Sequence, residues 1–431
     1  MIIIMKTEPF WTDEFARPDD LPVASELPSD VDVAIVGSGY TGLNAARVLA
    51  KTGLSVAVFE SKTIGWGASS RNGGMATPGL KQDIYKIYKK YGSDYGKEFW
   101  QVSVAAIDLI ETIVSEENID CDWDRSGHVS LACKQSHFDG LEEYAAFLDK
   151  EFGHKKTLVS KSELRSEIGT DAYFGGLADE TSGGIQPAKY VFGLARAVAK
   201  HGALLYEHAA VIDIKKKRDG FEITTTIGAI KSKEVIIATN GYTDKLVPKL
   251  KPMIFPVGSY IIVTKPLSED LQNKLSPKKR MYYDSKNFLN YFRLTPDGRM
   301  LWGGRNNLST HLDLKDSAER LQKQLNSVFP ELSQIPITHS WTGKLGITFD
   351  LMPHIGQTKD GIHYVLGYGG HGLSIATYLG TEMGLLLTGE KDRSPFKEID
   401  HETLFFYLNN PGFIQFAVKF YQFLNWLLII R

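Results

Sequence analysis

The sequence has few cysteines and no marked excess of charge of one sign. Only two of its 431 residues are cysteines, Cys121 and Cys133, and neither has neighbours at metal-ligand spacing. We therefore expect reduced thiols and no metal site. The chain contains 49 Lys and Arg against 51 Asp and Glu, for a net charge of −2. A near-neutral total without a basic tract argues against a nucleic-acid partner.

Long apolar runs are also scarce. Residues 1–6 contain three isoleucines but no basic segment followed by a long apolar core, so they do not have the pattern of a signal peptide. Residues 413–430 are apolar and aromatic, but glutamine, lysine and asparagine interrupt them at four positions. We interpret this stretch as an amphipathic helix docked on the protein body rather than a membrane contact. We expect a cytoplasmic protein, and its oligomeric state stays open.

Glycine is in excess, with 40 of 431 residues, and it is clustered. The first cluster follows an apolar run, Val31 to Val36, which predicts a buried parallel strand. A helical pattern then continues to Gly53, and a second predicted strand, Ser55 to Phe59, ends at Glu60. The cluster has the pattern GxGxxG, and its members are Gly37, Ser38, Gly39, Tyr40, Thr41 and Gly42.

This order of strand, glycine turn, helix and strand is typical of a dinucleotide-binding unit. In such a unit Gly37 permits the tight turn, Gly39 lets the backbone approach a pyrophosphate, and Gly42 permits close packing of helix on strand. The helix N-terminus offers N–H groups and a positive dipole end to the phosphates. Glu60 lies 18 residues beyond Gly42, where a ribose-binding carboxylate is expected, although an ordinary solvated acid is the alternative.

The same motif occurs a second time, at residues 367–372. His363 to Leu366 precedes it as a predicted strand, and Leu373 to Leu387 follows as a predicted helix. Glu390 again lies 18 residues beyond the last glycine, but it sits in a polar loop with no second strand before it. The second motif therefore predicts a glycine-lined helix N-terminus and not a second dinucleotide site.

Further segments carry a family resemblance. They are GASSRNGG at 67–74, DETSGGIQP at 179–187, WTG at 341–343 and DLMPHIG at 350–356. Together with the two glycine motifs, in this order, they make the chain similar to the D-amino-acid oxidase/DadA-type FAD-dependent oxidoreductases. The resemblance is greatest to the branch that contains gamma-glutamylputrescine oxidoreductase, and it extends from about residue 9 to the predicted C-terminal helix.

The resemblance implies an α/β fold with two domains. The first is a Rossmann-like FAD-binding domain of the glutathione-reductase type, with a βαβ unit and a three-stranded β-meander. The second is an antiparallel-sheet substrate domain. The meander is expected at Phe221 to Thr225, Ala229 to Lys231 and Glu234 to Ala238, and substrate strands at Ser259 to Lys265, Leu289 to Leu294 and Arg299 to Gly303.

The expected domain boundaries divide the chain into four parts. An N-terminal arm covers 1–30, the FAD-binding domain covers 31–88, 157–250 and 341–395, the substrate domain covers 89–156 and 251–340, and a C-terminal helical extension covers 396–431.

The motifs and the resemblance together assign a set of cofactor-binding residues. We expect the FAD to be bound non-covalently, since neither cysteine lies near Gly343, where sarcosine oxidases carry the attachment cysteine. Besides the first glycine motif, the assigned residues are Glu60, Ser61, Gly67, Ala68, Ser69, Ser70, Arg71, Asn72, Gly73, Gly74, Val211, Thr239, Asn240, Gly241, Gly343, Gly369, Gly370, His371, Gly372, Leu373 and Ser374.

Four residues are candidates for a part in catalysis, each beside a structural alternative. His371 could shape the flavin site or orient the amine, or it could be a packed turn histidine. Lys344 could supply a cation near the flavin for reaction with oxygen, or it could be a surface lysine. Arg71 suits anion recognition or the flavin edge. Tyr260 could line the pocket or belong to the core, as could three other aromatic residues near the predicted substrate strands, Tyr291, Phe292 and Trp341.

Two departures from the family pattern bear on the substrate. Relatives that bind small α-amino acids often carry an Arg shortly after the Trp-x-Gly, whereas this chain continues with Lys344-Leu345-Gly346. Sarcosine-oxidase-like members carry a Lys two residues after the His-Gly, where this chain has Ser374. The absence of both carboxylate anchors favours a longer amine, such as a gamma-glutamyl-polyamine, over glycine, sarcosine or D-alanine.

The leading hypothesis is therefore an FAD-dependent amine oxidase or dehydrogenase. It would act on a small-molecule amine and pass electrons to O2 or another acceptor. A glycine, sarcosine or D-amino-acid oxidase or dehydrogenase is one alternative, and a flavoprotein subunit that passes electrons to a partner is another. A modifier of methylaminomethyl tRNA bases is disfavoured because the chain has no basic tract.

Overall fold

The computed structural model describes residues 5–305 and 309–403. Its helices, in chain order, are α1 (Phe10–Glu14), α2 (Tyr40–Lys51), α3 (Ile84–Tyr91), α4 (Ser93–Glu116), α5 (Gln135–Phe152), α6 (Pro187–Lys200), α7 (Glu269–Leu275), α8 (Leu314–Val328), α9 (Gly372–Thr388) and α10 (Pro395–Glu398).

The strands are β1 (Asp30–Val36), β2 (Val56–Phe59), β3 (Met75–Ala76), β4 (His128–Leu131), β5 (Thr157–Ser160), β6 (Gly175–Asp179), β7 (Gly183–Gly184), β8 (Leu204–Tyr206), β9 (Val211–Lys217), β10 (Gly220–Thr225), β11 (Gly228–Ile237), β12 (Phe255–Pro266), β13 (Met281–Asp284), β14 (Asn290–Leu294), β15 (Arg299–Gly304), β16 (Ile337–Ile347), β17 (His354–Gln357) and β18 (His363–Leu366).

The first sheet has the order β17-β18-β11-β1-β2-β8, and β10 joins β11 to β9. Strands β18, β11, β1, β2 and β8 run parallel. The apolar run of β1 is buried along most of its length. Helices α2, α6 and α9 cover one face of the sheet, and apolar side chains of the meander strands β10 and β11 pack on the other side. The predicted βαβ unit is thus present, and this Rossmann-like sheet confirms the expected fold class.

The meander differs from the expectation in one respect. Residues predicted as two strands, 229–231 and 234–238, form the single strand β11. Its first half pairs with β10, up to Ser232 opposite Phe221, and its second half pairs with β1, from Asp30 opposite Lys231. One continuous strand can therefore connect the meander to the centre of the sheet without a turn.

Helices α2 and α9 pack closely against each other. A Cβ placed on Gly380 of α9 would lie 2.4 Å from the Thr41 carbonyl oxygen of α2, so a larger residue cannot be accommodated there. The buried side chains of α2, α4, α6 and α9 belong to one core. This packing brings the N-termini of α2 and α9, and hence the two glycine motifs, to the same end of the sheet.

The second sheet has the order β16-β12-β15-β14-β13-β4-β6-β5 and is antiparallel except for β13 beside β4. The predicted turn at residues 296–298 joins β14 to β15. Alternate residues of these strands point to one face, where they pack on α8 around the stacked rings of Tyr282, Phe292 and Trp302. The other face is turned toward the first sheet.

The second sheet takes in more of the chain than the expected domain boundaries allow. Strands β5 and β6 lie within 157–250, which was assigned to the FAD-binding domain, yet β6 pairs with β4 and β5. Strand β16 crosses the expected boundary at residue 341, because its pairing with β12 continues to Ile347. Both assignments to the second sheet follow from backbone pairing between strands, which the sequence pattern does not show.

The two termini differ in how much of them is described. Within the expected N-terminal arm, the Trp11 indole donates a hydrogen bond to the Asn72 carbonyl (2.8 Å). Of the expected C-terminal extension only the part up to residue 403, with α10, is described, and the predicted helix over 413–430 lies outside the described residues. No helix within residues 5–305 and 309–403 combines the length and the hydropathy of a membrane span.

Candidate active site

A cleft of about 730 Å³ lies between the two sheets. The ends of β1, β2 and β11 form one wall, β12, β14 and β16 form the opposite wall, and both glycine motifs open into it. Glu60 lies against the first motif, where it accepts a hydrogen bond from Ser38, whereas Arg305 and His371 lie at the second motif. The geometry thus provides one continuous site with two chemically different ends.

The first glycine motif forms a tight turn directly beneath the cleft. Gly37 has a φ of +106°, which residues with a Cβ rarely adopt. A Cβ on Gly42 would lie 1.9 Å from the Gly37 carbonyl oxygen, so the helix can approach the turn only because this residue is glycine. Gly42 itself does not line the cleft, and its role is the close packing expected from the motif.

Glu60 is held at the end of β2 by hydrogen bonds to both carboxylate oxygens. One oxygen accepts from the N–H and the hydroxyl of Ser38 (3.2 and 2.9 Å), and the other accepts from the Lys62 N–H (3.0 Å). The Ser61 hydroxyl also donates to it (3.2 Å). The side chain is therefore fixed beside the glycine turn, where a carboxylate can accept hydrogen bonds from ribose hydroxyls.

The loop 67–74 crosses the cleft and is tied down at several points. Tyr40 of α2 donates its backbone N–H to the Ser69 hydroxyl (3.0 Å) and its own hydroxyl to the Ser69 carbonyl (2.6 Å). The Trp341 indole donates to the Arg71 carbonyl (2.9 Å). This loop is thus fixed by α2 on one side and by β16 on the other.

Arg71 lies in that loop with its guanidinium 4.5 Å from the Trp66 ring centroid. It donates to the carbonyls of Trp66 (2.8 Å) and Thr342 (3.4 Å), and burial lowers the pKa of its guanidinium. Among the described residues it has no carboxylate partner. Its charge is therefore available to an anionic or electron-rich edge of a bound molecule.

The second glycine motif brings another helix N-terminus to the opposite end of the cleft. Gly367, Gly369 and Gly370 all have positive φ, and α9 begins at Gly372. The Gly369 N–H donates to the Gly346 carbonyl of β16 (3.0 Å). The turn therefore lies directly beneath the second sheet, with the positive end of the α9 dipole toward the cleft.

His371 lies in this turn and lines the cleft. Its Nδ1 is buried and has no hydrogen-bond partner within residues 5–305 and 309–403. Burial lowers the pKa of the imidazole to about 4, and the charges of Lys81 and Arg305 lower it further in the same direction. His371 is therefore neutral at pH 7, and its buried Nδ1 has no partner in the described part of the chain.

Lys344 also lines the cleft, from strand β16. Its ammonium lies 5.4 Å from the centroid of the Tyr242 ring, and its backbone N–H donates to the Tyr242 hydroxyl (3.4 Å). Of the four catalytic candidates, the structure brings Arg71, Lys344 and His371 into one cavity.

The structure does not bring Tyr260 there. Its side chain is fully buried on the α8 side of the second sheet, where its hydroxyl donates to the Ser309 carbonyl and accepts from the Leu312 N–H, both at 2.9 Å. Side chains alternate along a strand, so the neighbours Ser259 and Ile261 line the cleft instead. Of the other aromatic residues named from the sequence, Tyr291 lines it.

Several expected cofactor residues also do not line the cleft but support residues that do. A Cβ on Gly74 would lie 2.2 Å from the Ile185 carbonyl oxygen, and one on Gly241 would lie 2.9 Å from the Gly346 nitrogen, so both permit close backbone packing. Ser374 is buried, with its hydroxyl directed to the His371 carbonyl (3.5 Å), and Ser70 is buried within the loop 67–74. The remaining assigned residues outside this group and Gly42 line the cleft.

Four charged residues of the cleft are absent from the sequence-based set, namely Lys81, Asp83, Asp244 and Arg305. Burial, with Arg305 nearby, lowers the pKa of Lys81 to about 8, and burial lowers the pKa of Arg305. Arg305 directly follows Gly303 and Gly304 at the end of β15. Two glycines before an arginine at a strand end are the one signal that could have indicated it, whereas nothing in the sequence marks Lys81.

The cleft has the features that FAD requires. The glycine turn of the first motif and the fixed carboxylate of Glu60 fit a pyrophosphate and a ribose. The second motif offers a small-residue surface and the α9 N-terminus to a planar ring, and His371 lines the cleft in the same turn. Neither Cys121 nor Cys133 lines the cleft, and within the described segments no three His, Cys, Asp or Glu side chains are grouped to hold a metal ion.

Comparison with known proteins agrees with this geometry. Residues 32–384 match the family model of the FAD dependent oxidoreductases (DAO). Gamma-glutamylputrescine oxidoreductase of Escherichia coli is 35% identical over 374 residues, which cover 86% of this chain and 87% of that protein. A probable oxidoreductase, OrdL, of Haemophilus influenzae is 34% identical, over 84% of each chain.

Among solved structures, glycine oxidase of Geobacillus kaustophilus superposes with a TM-score of 0.75 at 22% identity, covering 87% of this chain and all of that one. L-proline dehydrogenase of P. horikoshii gives a TM-score of 0.72 at 21% identity, over 85% of this chain and 95% of that one. These likenesses establish the fold, and the family match and the closer relatives establish the membership. The protein is an FAD-dependent oxidoreductase of the DAO family, which acts on amines or amino acids.

Proposed function

We propose that the protein oxidises the C–N bond of an amine or an N-substituted amino acid to an imine, with FAD bound non-covalently. When bound, FAD supplies the acceptor for a hydride equivalent from the carbon beside the substrate nitrogen. The observation that carries the proposal is the placement of a neutral His371 and the α9 N-terminus at the end of the cleft opposite the dinucleotide turn.

Different residues of the chain would act at the two ends of the cleft. The first glycine motif and Glu60 would hold the nucleotide, and the loop 67–74 would lie under the diphosphate and the ring. The N–H groups and dipole of α9 would stabilise the negative charge that the flavin ring gains on reduction. Since His371 is neutral at pH 7, it can lie beside the substrate amine without repelling it.

A substrate like gamma-glutamylputrescine is the favoured candidate. The E. coli relative that is 35% identical carries that substrate in its name. The chain also has Lys344-Leu345 after Trp341-Thr342-Gly343, and Leu373-Ser374 after His371-Gly372, so neither of the family's two carboxylate anchors is in its usual place. Both points support a longer amine.

Glycine, sarcosine or a D-amino acid is the second candidate, because one observation favours it. Lys81 and Arg305 supply positive charge at the His371 end of the cleft, from positions that the family pattern does not indicate. A carboxylate beside the oxidised carbon would be attracted to them.

Anaerobic reduction of the holoenzyme distinguishes the two candidates. The purified protein is mixed without oxygen with gamma-glutamylputrescine, putrescine, glycine, sarcosine or D-alanine, and loss of the visible flavin absorption band is followed. We expect gamma-glutamylputrescine to bleach the flavin fastest. Bleaching by sarcosine or glycine alone would replace the first candidate by the second, and no bleaching by any amine would contradict the proposed reaction. Rapid recolouring in air would identify an oxidase.

The mode of FAD attachment is tested separately. Because neither cysteine lines the cleft, acid precipitation should release all of the flavin into the supernatant. A yellow pellet would contradict non-covalent binding.

A further inference from the structure

Two indole N–H groups hold consecutive backbone carbonyls of the loop 67–74. The Trp341 indole donates to the Arg71 carbonyl (2.9 Å), and the Trp11 indole donates to the Asn72 carbonyl (2.8 Å). One tryptophan comes from strand β16 and the other from helix α1 of the N-terminal arm, and both are fully buried. Two distant parts of the chain therefore act on adjacent peptide groups of one loop.

The two tryptophans are themselves held in place. The Gln186 side-chain amide donates to the Trp11 carbonyl (3.0 Å), and the Trp341 backbone pairs with Ile261 where β16 lies beside β12. Protein interiors are close-packed, so neither buried ring can rotate without displacing its neighbours. The surrounding structure, and not the loop, thus sets the position of each indole N–H.

The N–H groups on the other side of these peptides are free. The peptide bonds are trans, so the Asn72 N–H points away from the Arg71 carbonyl, and the Gly73 N–H points away from the Asn72 carbonyl. Neither N–H has an acceptor within residues 5–305 and 309–403, although both residues line the cleft and Gly73 is buried. Enclosed backbone N–H groups without an acceptor are rare, so this pair indicates an acceptor on a bound molecule.

We propose that Trp11 and Trp341 are positioning residues that direct the N–H groups of Asn72 and Gly73 to the flavin ring. The inference rests on the proposed location of the ring over the loop 67–74. The ring offers lone pairs to hydrogen-bond donors and gains negative charge on reduction. N–H groups that already point at such atoms stabilise the reduced state without any reorganisation. Since neither tryptophan lines the cleft, each acts on the ring only through the peptide group that it holds.

Trp302 provides the matched control. It is also fully buried, but its indole nitrogen has no hydrogen-bond partner in the described part of the chain. Its ring stacks on Phe292 on the α8 side of the second sheet, away from the cleft. Trp302→Phe therefore removes the same ring volume from the core without removing a hydrogen bond.

Two substitutions at each tryptophan separate the hydrogen bond from packing. Trp11→Phe and Trp341→Phe keep a six-membered ring and remove the donor. Trp11→His and Trp341→His lose more volume, but the imidazole Nε2 occupies the ring position of the indole nitrogen and can donate in its place. A role in packing alone would make the His variants the more altered pair, whereas the positioning role makes it the Phe variants.

The reduction potential of the FAD is measured in each purified holoenzyme by equilibration with a reference dye at pH 8, where an introduced histidine is neutral. Trp11→Phe and Trp341→Phe should each lower the equilibrium constant for two-electron reduction about tenfold, which is about 30 mV. Trp11→His and Trp341→His should stay within about threefold of the unmodified protein, and Trp302→Phe should equal it.

FAD content and thermal unfolding are measured for every variant. Loss of FAD in the Phe variants alone would support the need for the donors, whereas loss of FAD in the His variants as well would assign the two tryptophans to packing. Unchanged potentials in both Phe variants, equal shifts in the Phe and His variants, or the same shift in Trp302→Phe would each overturn the proposal.

These results separate the positioning role from the proposed function. If amines reduce the flavin but the potentials of Trp11→Phe and Trp341→Phe do not change, the positioning role fails and the amine oxidation stands. If the potentials fall as expected but no amine reduces the flavin, the reaction assignment fails and the two tryptophans keep their role.

Discussion

The two GxGxxG motifs have the same pattern and both connect a strand to a helix, yet they serve different ends of one site. Each follows a parallel strand and begins a helix, β1 to α2 in one case and β18 to α9 in the other. β1 lies between β11 and β2, and β2 delivers Glu60 beside the turn. β18 pairs with β17 and β11, and up to residue 403 no strand follows α9.

The third glycine of each motif shows the difference most directly. In the first motif it lies against the backbone of its own turn, whereas in the second a Cβ on Gly372 would make only ordinary contacts with the Tyr368 ring, at 3.6 Å or more. The motif therefore marks a turn at which the backbone closely approaches another group. The neighbouring strands and loops decide whether that is a nucleotide or a reacting ring.

The largest expected effect comes from replacing the third glycine of the first motif, Gly42. Gly42→Ala places a methyl group 1.9 Å from the Gly37 carbonyl oxygen, which neither the strand nor the helix can avoid without moving. We expect a loss of about 3 kcal/mol or more in the free energy of unfolding, together with loss of FAD. Chemical denaturation and the flavin-to-protein ratio measure both.

Gly372→Ala is the matched variant and should keep its FAD and its stability. Equal losses of stability and of FAD in Gly42→Ala and Gly372→Ala would show that the two motifs do not differ in this way.

The next largest effect, on FAD affinity, is expected at Glu60, and Glu390 is its control. Glu60→Gln removes the charge that accepts hydrogen bonds at the end of β2, so we expect the dissociation constant of FAD to rise about 10- to 100-fold. Glu390→Gln changes an exposed residue at the same spacing and should have no effect on FAD affinity. Flavin fluorescence on reconstitution measures both, and a weaker FAD complex in Glu390→Gln would contradict the assignment.

Anion binding at the second motif should depend on pH. The pKa of Lys81 is lowered to about 8, so its ammonium is charged below pH 8. The affinity of the holoenzyme for benzoate, used as an anionic probe, should therefore be highest there and fall several-fold as the pH rises through that value. Benzoate itself stays ionised, and His371, with a pKa of about 4, stays neutral from pH 6 to 9.

Lys81→Met should flatten this profile while the weaker binding through Arg305 persists. A profile that keeps its fall near pH 8 in Lys81→Met would assign the titration to another group.

The smallest effect on the reaction is expected at Tyr260. Tyr260→Phe removes the hydroxyl that bonds Ser309 and Leu312, so the protein should lose about 1–2 kcal/mol of stability while flavin reduction by the amine is unchanged. Stopped-flow reduction and denaturation are compared in one preparation. Slower reduction at unchanged stability would place Tyr260 in the site after all.

The sequence predicted the first motif well because its signals are local. Strand, turn, helix and acid follow one another within thirty residues, so β1, α2, β2 and Glu60 were located almost to the residue. The family segments likewise located Arg71, His371 and Lys344. Tyr260 was misplaced because hydrophobic alternation does not tell which face of a doubly covered strand meets the cleft.

Lys81 and Arg305 could not be predicted for a different reason. Their role depends on a turn that comes from a third part of the chain, and on the lack of an ion pair to either cation within residues 5–305 and 309–403. Both facts exist only in three dimensions. The assignment of β5 and β6 to the second sheet has the same origin, because strand pairing is not visible in the apolar pattern.

The first glycine motif binds the nucleotide, and the second serves the reacting end. The FAD-to-protein ratio of purified Gly39→Val and Lys81→Met distinguishes these roles. Gly39→Val puts side-chain atoms where the backbone should meet the pyrophosphate, so we expect a ratio near zero, whereas Lys81→Met should purify with as much FAD as the unmodified protein. Full FAD in Gly39→Val, or equal loss of FAD in Lys81→Met, would show that the two motifs do not divide the site in this way.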